Sequence, residues 1–417
     1  MTTRRVVITG LGALTPIGNN VATYWKALLQ GQSGAAPITQ FDASKHKTQF
    51  ACELKGYRTS DYFEIREAKK LDLISQYAFV VCEEALQDAC LALDKEDATR
   101  IGMIWSAGFG GLKSFLEAVT GYADSTEYPR IHPFFIPKML ANMPSGNVAI
   151  KYGFRGPNYA TASACASANN ALIDALQLIQ LGHADVMIAG GSEAPITDVA
   201  VSGFNAIKAL SVRNDDPKTA SRPFDKGRDG FVIGEGAGAL VIESYEHARA
   251  RGAKIYAELI GVGMSADAYH MTAPHPEGLG AVEVMVNALR NASIQPEEVD
   301  YINVHGTSTP LGDASEVKAI HKAFGAHAYR LNISATKSMV GHLLGASGAV
   351  ESIAAILALQ HQVVPPTINH FTDDETLDAG INFTFNEAQP RPVKIVLKNS
   401  FGFGGHNTAI VFKKWEE

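Results

Sequence analysis

Short apolar runs of strand length alternate with amphipathic stretches of helix length along nearly the whole chain. Runs at 6–9, 101–105, 186–189, 239–242, 301–304 and 395–397 read as buried strands. Stretches at 21–29, 75–91, 167–181, 281–292, 315–324 and 345–359 carry the apolar spacing of helices. This alternation predicts an α/β fold in which helices cover a largely buried sheet. The 417 residues suffice for two domains, or for one large unit with two fused cores. Hydrophobic residues at 46% and charged residues at 19% fit a packed body rather than a disordered chain.

An internal echo sharpens that reading. Val6-Val-Ile-Thr-Gly10-Leu-Gly12 opens the chain, and Tyr256-Ala-Glu-Leu-Ile-Gly261-Val-Gly263 opens a second half. Each reads as a strand running into a Gly-x-Gly turn. Taken as a true repeat rather than as chance, the echo gives a duplicated unit, 1–254 and 255–417, with its chemistry at the junction. Residues 106–160, rich in Gly, Pro and aromatics, read as an insertion in the first half. A dinucleotide site does not fit these glycines. Gly10-Leu-Gly12-Ala-Leu-Thr15 lacks the third glycine, and no acidic residue follows at the distance that would bind a ribose.

Bulk properties exclude several classes. A net charge of −7 gives no general attraction to nucleic acid or to an anionic membrane. No apolar run approaches the ~18 residues that would span a bilayer. Thr9, Gly10 and Gly12 interrupt any signal-peptide core. Four cysteines without a CxxC pair suggest a reducing compartment, so a cytoplasmic location is expected. His305 and His342 are far apart in sequence and no HExxH is present, so spacing offers no metal site.

Cys165 lies in Asn158-Tyr-Ala-Thr-Ala-Ser-Ala-Cys165-Ala-Ser, among small residues, where a strand turns into a long helix. A helix N-terminus there favours thiolate, and small neighbours leave room for a carbonyl. The same window also suits a buried structural thiol. Three later segments bear on the choice. Asn303-Val-His305-Gly-Thr307-Ser-Thr309-Pro delivers a histidine from a strand into a turn. Thr-Lys337-Ser-Met-Val-Gly-His342-Leu-Leu344 precedes a small-residue helix carrying Glu351. Asn399-Ser-Phe401-Gly-Phe403-Gly-Gly405 has glycines that let N–H groups turn toward a ligand. One cysteine, two histidines, a lysine and a glycine loop make up an acyl-transfer set.

These motifs, with Ser221-Arg-Pro-Phe-Asp225, Asp229-Gly-Phe-Val-Ile-Gly-Glu-Gly-Ala-Gly238 and Asp267-Ala-Tyr-His270-Met-Thr272, are spread from end to end of the chain. Together they resemble those of the β-ketoacyl-[acyl-carrier-protein] synthases of type II fatty acid synthesis. The resemblance implies a thiolase-like fold, a duplicated α/β/α/β/α five-layered body that forms a homodimer. It implies that Cys165 is the nucleophile and that His305 and His342 act on a malonyl thioester. Lys337 and Glu351 would support them by ordering polar groups and waters. The N–H groups of Cys165 and Phe403 would form an oxyanion hole, with Phe403 also gating the acyl tunnel. Thr307 and Thr309 would hold the phosphopantetheine arm. Phe109, Phe204, Leu344, His270, Thr272 and Phe401 would also contact substrate. Arg66, Lys69 and Lys70, with Arg130 and Lys208, would dock an acidic acyl carrier protein. No cofactor beyond the carrier's own arm is implied.

The same resemblance frames the alternatives. A stand-alone ketosynthase of polyketide or aryl-polyene assembly would use the same residues. A non-catalytic chain-length factor would lack the cysteine, and a biosynthetic thiolase would need a second one in the C-terminal half. Phe109 stands where these enzymes usually carry a smaller aliphatic residue, so a shortened acyl pocket is expected.

Overall fold

A computed structural model describes residues 4–125 and 130–416; residues 126–129 of the expected insertion lie outside the described residues. Ten strands build the main sheet: β1 (Val6–Leu14), β2 (Ile101–Ser106), β3 (Asn158–Thr161), β4 (Val186–Glu193), β5 (Gly236–Ser244), β6 (Ala257–Ala266), β7 (Tyr301–Asn303), β8 (Asn332–Ser334), β9 (Ile395–Gly402) and β10 (His406–Lys414). The larger helices are α1 (Val21–Leu29), α2 (Leu73–Asp88), α3 (Leu112–Ala123), α4 (Ser167–Gln180), α5 (Leu279–Ala292), α6 (Pro310–Phe324) and α7 (Ser347–His361). All six strands and six helices expected from periodicity are present, with ends shifted by a few residues.

The spatial order β8-β7-β9-β10-β6-β1-β5-β4-β2-β3 reads the same outward from its centre in both directions. In each half the first strand pairs antiparallel with the last, the last antiparallel with the fourth, and the fourth parallel with the second, which pairs parallel with the third. The halves meet where Val7 and Ile8 of β1 pair with Glu258 and Ala257 of β6. Three apolar cores separate the layers. One lies under α2, one under α5 and α6, and one lies between the sheet halves around α4 and α7. Every residue of α7 from Ser347 to Leu359 is buried, which suits a helix with sheet on both sides. The result is the duplicated five-layered α/β/α/β/α body.

The Gly-x-Gly echo has a different cause from the one expected. β1 runs straight through Gly10 and Gly12, and β6 runs through Gly261 and Gly263. A Cβ on Gly12 would meet the Val81 carbonyl of α2 at 1.9 Å, and one on Gly263 would meet the Val284 carbonyl of α5 at 2.1 Å. The glycines are strand positions where an outer helix lies flat on the backbone, once per half.

The segment between β2 and β3 carries α3 and the short helices Phe135–Met139 and Met143–Tyr152. Pro144 sits in the first turn of the latter, where its missing N–H costs nothing. The equivalent stretch of the second half is filled by α6 and a short 3-10 turn.

Candidate active site

The third strand of each half feeds a turn that leads into a central helix, β3 into α4 and β8 into α7. In the first half that turn is short. Ala164 takes a left-handed backbone (φ 50), a modest strain that sets Cys165 at the start of α4. The Gly402 backbone packs so closely that a Cβ there would lie 2.5 Å from the Ser163 carbonyl. This approach brings the Phe403 N–H to the sulfur of Cys165 as a hydrogen-bond donor.

In the second half the turn is longer and holds the charged groups. The Lys337 ammonium donates to the His305 carbonyl at 2.7 Å, lies 3.4 Å from His305 Nδ1, and pairs with Glu351. An ammonium can only donate, so Nδ1 of His305 is an acceptor and its proton sits on Nε2. His342 reaches the same state by another route. Its Nδ1 accepts the Leu344 N–H at 3.2 Å and meets the Ser347 hydroxyl at 2.9 Å, so its Nε2 also carries the proton. Burial, then the charge of Lys337, holds both imidazoles well below their ordinary pKa. The rings lie 5.4 Å apart and nearly perpendicular. They form a pair of neutral N–H donors.

One cavity of about 610 Å³ joins these groups. Cys165, His305, His342, Thr307, Thr309, Phe109, Phe204, Leu344, Thr272, Phe401 and Phe403 all line it. Thr307 and Thr309 share a hydroxyl hydrogen bond of 2.9 Å. Edge-on aromatic contacts run from His342 through Phe231 and Phe204 to Phe109. His270 does not line the cavity. It is exposed, and its Nδ1 accepts the Thr272 and Ala273 N–H groups, which spends the ring on its own turn.

The sequence left open whether Cys165 rests as thiol or thiolate. Burial pushes the Cys165 thiol up to about 12, outweighing the pull of Lys337 and of the Phe403 N–H.

Three further buried residues at the site were not singled out from the sequence. Glu316 on α6 accepts the backbone N–H groups of His305 and Gly306, both at 2.8 Å. Glu193, at the end of β4, accepts those of Gly108, Phe109 and Gly345, and burial raises its carboxyl to about 8. It thereby ties the Phe109 turn to the turn that follows His342. Lys398 on β9 reaches Glu351 from the side opposite Lys337. Only Glu316 left a trace, as an acid on the helix following the His305 motif.

Arg66, Lys69 and Lys70 are exposed around the short helix Ile65–Ala68, and none forms an ion pair among the described residues. Arg130 is exposed, and Lys208 is exposed at the cavity's lining.

A duplicated five-layered body with a cysteine turn from one half facing two histidines from the other is a thiolase-like, ketosynthase architecture. The chain belongs to the β-ketoacyl synthase family: the model of the family's N-terminal domain matches residues 3–248 and that of its C-terminal domain residues 256–371. It is 47% identical over 413 residues to a 3-oxoacyl-[acyl-carrier-protein] synthase 2 of Synechocystis, covering 99% of each chain. With the enzyme of the same name from Staphylococcus aureus it shares 48% over 413 residues, again covering 99% of each. Among solved structures it matches a β-ketoacyl synthase from Burkholderia phymatum at 34% identity and TM-score 0.91, covering 99% of this chain and 100% of that one. A type II polyketide acyl-carrier protein in complex with its ketosynthase matches at 34% and TM-score 0.91, covering 100% of both chains. Among the described residues no helix is long and apolar enough to cross a membrane, and no cluster of three or more His, Cys, Asp or Glu could hold a metal.

Proposed function

We propose that the chain is a 3-oxoacyl-[acyl-carrier-protein] synthase 2 that elongates acyl chains by decarboxylative condensation. Cys165 takes an acyl group from its carrier protein, with the Phe403 N–H and its own N–H stabilising the tetrahedral oxyanion. Because burial keeps the thiol protonated at rest, the sulfur gives up its proton as it attacks the thioester and the oxyanion forms, and the carrier's sulfur takes that proton up as it leaves as a thiol and the new thioester closes.

Malonyl-carrier then enters. His305 and His342 donate their Nε2–H groups to its thioester carbonyl. The C–C bond to the carboxylate breaks, CO₂ departs, and the electron pair becomes an enolate held by the two donors. The enolate carbon attacks the acyl-Cys165 carbonyl. Collapse expels the thiolate and yields 3-oxoacyl-carrier protein two carbons longer. Thr307 and Thr309 hold the phosphopantetheine arm, and Phe403 gates the tunnel. No further cofactor takes part.

The observation that carries this reading is the pair of neutral Nε2–H donors sharing one cavity with Cys165. The full-length relatives named synthase 2 favour fatty acid elongation over a polyketide role, since the polyketide ketosynthases match at lower identity. Arg66, Lys69, Lys70, Arg130 and Lys208 present an exposed basic face to an acidic carrier. The protein works as a homodimer, its halves divided near 254/255. The partner covers Phe115, Val119 and Tyr122, exposed on α3, and the open edge of β3.

Mass spectrometry after mixing with acyl-carrier proteins of increasing chain length tests the reading. An acyl adduct on Cys165 is expected, and its absence with every chain would overturn it.

A further inference from the structure

Lys398 is fully buried in β9, directly after the apolar run Ile395-Val-Leu, and the chemistry above does not use it. A buried ammonium persists only with a reason, since burial without compensation costs several kcal/mol. Its Nζ lies 2.6 Å from Glu351 Oε2. Its hydrogen bonds go to the Asn399 carbonyl and, at 2.9 Å, to the Ser400 hydroxyl, both on the strand that leads into the Phe401–Phe403 loop.

Glu351 is thus clamped by two lysines, Lys337 on one oxygen and Lys398 on the other. The groups facing Lys398 from the surrounding elements are Glu351 on α7, Lys337 after β8, Glu316 on α6, and His305 and His342 in their turns. Tyr24 on α1 and Tyr301 on β7 face the shared Glu351. Lys337 and Lys398 are the two ammonium groups whose charge bears on both imidazoles. The charged groups that bear on the Cys165 sulfur are Lys337, Glu193 and Glu351.

We propose that Lys398 is a positioning residue for the decarboxylation half-reaction: it fixes Glu351 from the far side and adds positive charge where the enolate forms at His305 and His342. Lys398 is not among the groups that bear on the Cys165 sulfur, so acylation of Cys165 depends on it far less. The inference rests on the decarboxylative reading above. Burial, with the charge of Lys337, lowers the Lys398 pKa to about 8, against the pull of Glu351 and Glu316. Its charge therefore fades as pH rises through that value.

The test compares Lys398→Met with the unaltered enzyme in two separate assays, release of CO₂ from malonyl-carrier protein and acyl transfer to Cys165. The variant is expected to lose about tenfold or more in kcat for CO₂ release with KM unchanged, while the acylation rate changes less than about threefold. In the unaltered enzyme CO₂ release falls as pH rises through about 8. That fall is absent from the variant. Equal losses in both assays, or CO₂ release at the unaltered rate, overturn the proposal. If Lys398→Met does not fold, the pH profile of the unaltered enzyme decides: CO₂ release that stays level from pH 7 to 9 by this measurement, or declines in step with acylation, overturns it. An unaltered enzyme that neither acylates Cys165 nor releases CO₂ would sink the condensing-enzyme reading itself, a result distinct from these.

Discussion

The two halves share one topology and use the same turn differently. After β3 the turn holds small uncharged residues and a thiol that burial keeps protonated. After β8 it holds Lys337 and His342 beside Glu351, backed by Lys398 and Glu316. Duplication places both turns against the central helices, where neither half alone would complete a site. The first half contributes the atom that forms the covalent bond, and the second contributes the field in which charge develops. The comparison predicts that damage to each side stops a different half-reaction.

The largest effect is expected from Cys165→Ala. Condensation and the acyl adduct are lost, by about 10³-fold or more, while CO₂ release from malonyl-carrier protein persists. Equal loss of both activities would show that the two turns do not act separately. Next come His305→Ala and His342→Ala. Each removes one Nε2–H donor and is expected to lower CO₂ release by about 10²-fold to 10³-fold, with Cys165 still acylated in the mass spectrum. The asymmetry between these variants and Cys165→Ala breaks the comparison if it is missing.

Where these residues could be found in the sequence follows from the same asymmetry. Cys165, His305, His342 and Lys337 sit in turns rich in Gly, Ser and Thr, so their type stands out against small neighbours. Glu193 and Lys398 sit within strands, and nothing in their neighbourhood distinguishes them from strand ends. Lys398 finds Glu351 only across the fold, 47 positions away by residue number, so no local pattern could pair them. His270 was drawn toward the site by its motif, but backbone N–H groups of its own turn claim the ring. The layered fold was legible because periodicity reports burial directly. The Gly-x-Gly echo was legible as a repeat but not as a cause, because only packed helices reveal what a side chain there would strike.

A smaller effect should come from the aromatic residues that the first half contributes to the cavity lining. Phe109 meets Phe204 edge-on at 6.0 Å, and Glu193 holds its turn in place. Phe109→Ile is expected to raise the rate with long acyl-carrier substrates by about tenfold relative to short ones, the scale of discrimination that one hydrophobic pocket provides. Competition between acyl-carrier proteins of two lengths measures it. An unchanged ratio would remove Phe109 from the specificity of the pocket.

The smallest effect concerns a second clamp, which the first half builds away from the cavity. Glu243 on β5 lies between Arg251 at 2.5 Å and His247 at 2.6 Å, with the Thr9 hydroxyl also bound. Like Glu351, it is a buried carboxylate held by two basic groups, but its partners are not beside reacting atoms. Its consequence should therefore appear in stability and not in turnover. Against burial, hydrogen bonds from Arg251, His247 and Thr9 lower Glu243 to about 2, while the bond to Glu243 raises His247 above its ordinary value. The signs differ. Glu243 contributes stability above its unfolded pKa, and that contribution is lost as pH falls toward 2. His247 contributes fully below an unfolded pKa of about 6.5, and its contribution is lost as pH rises through the higher folded value. His247→Gln should therefore melt below the unaltered protein at pH 6, with the gap closing toward pH 9, while kcat for condensation is the same at each pH. A gap that stays constant with pH would mean that the ring acts by packing alone. A change in kcat would mean that the two clamps are coupled through the sheet, and that the halves divide their labour less cleanly than their turns suggest.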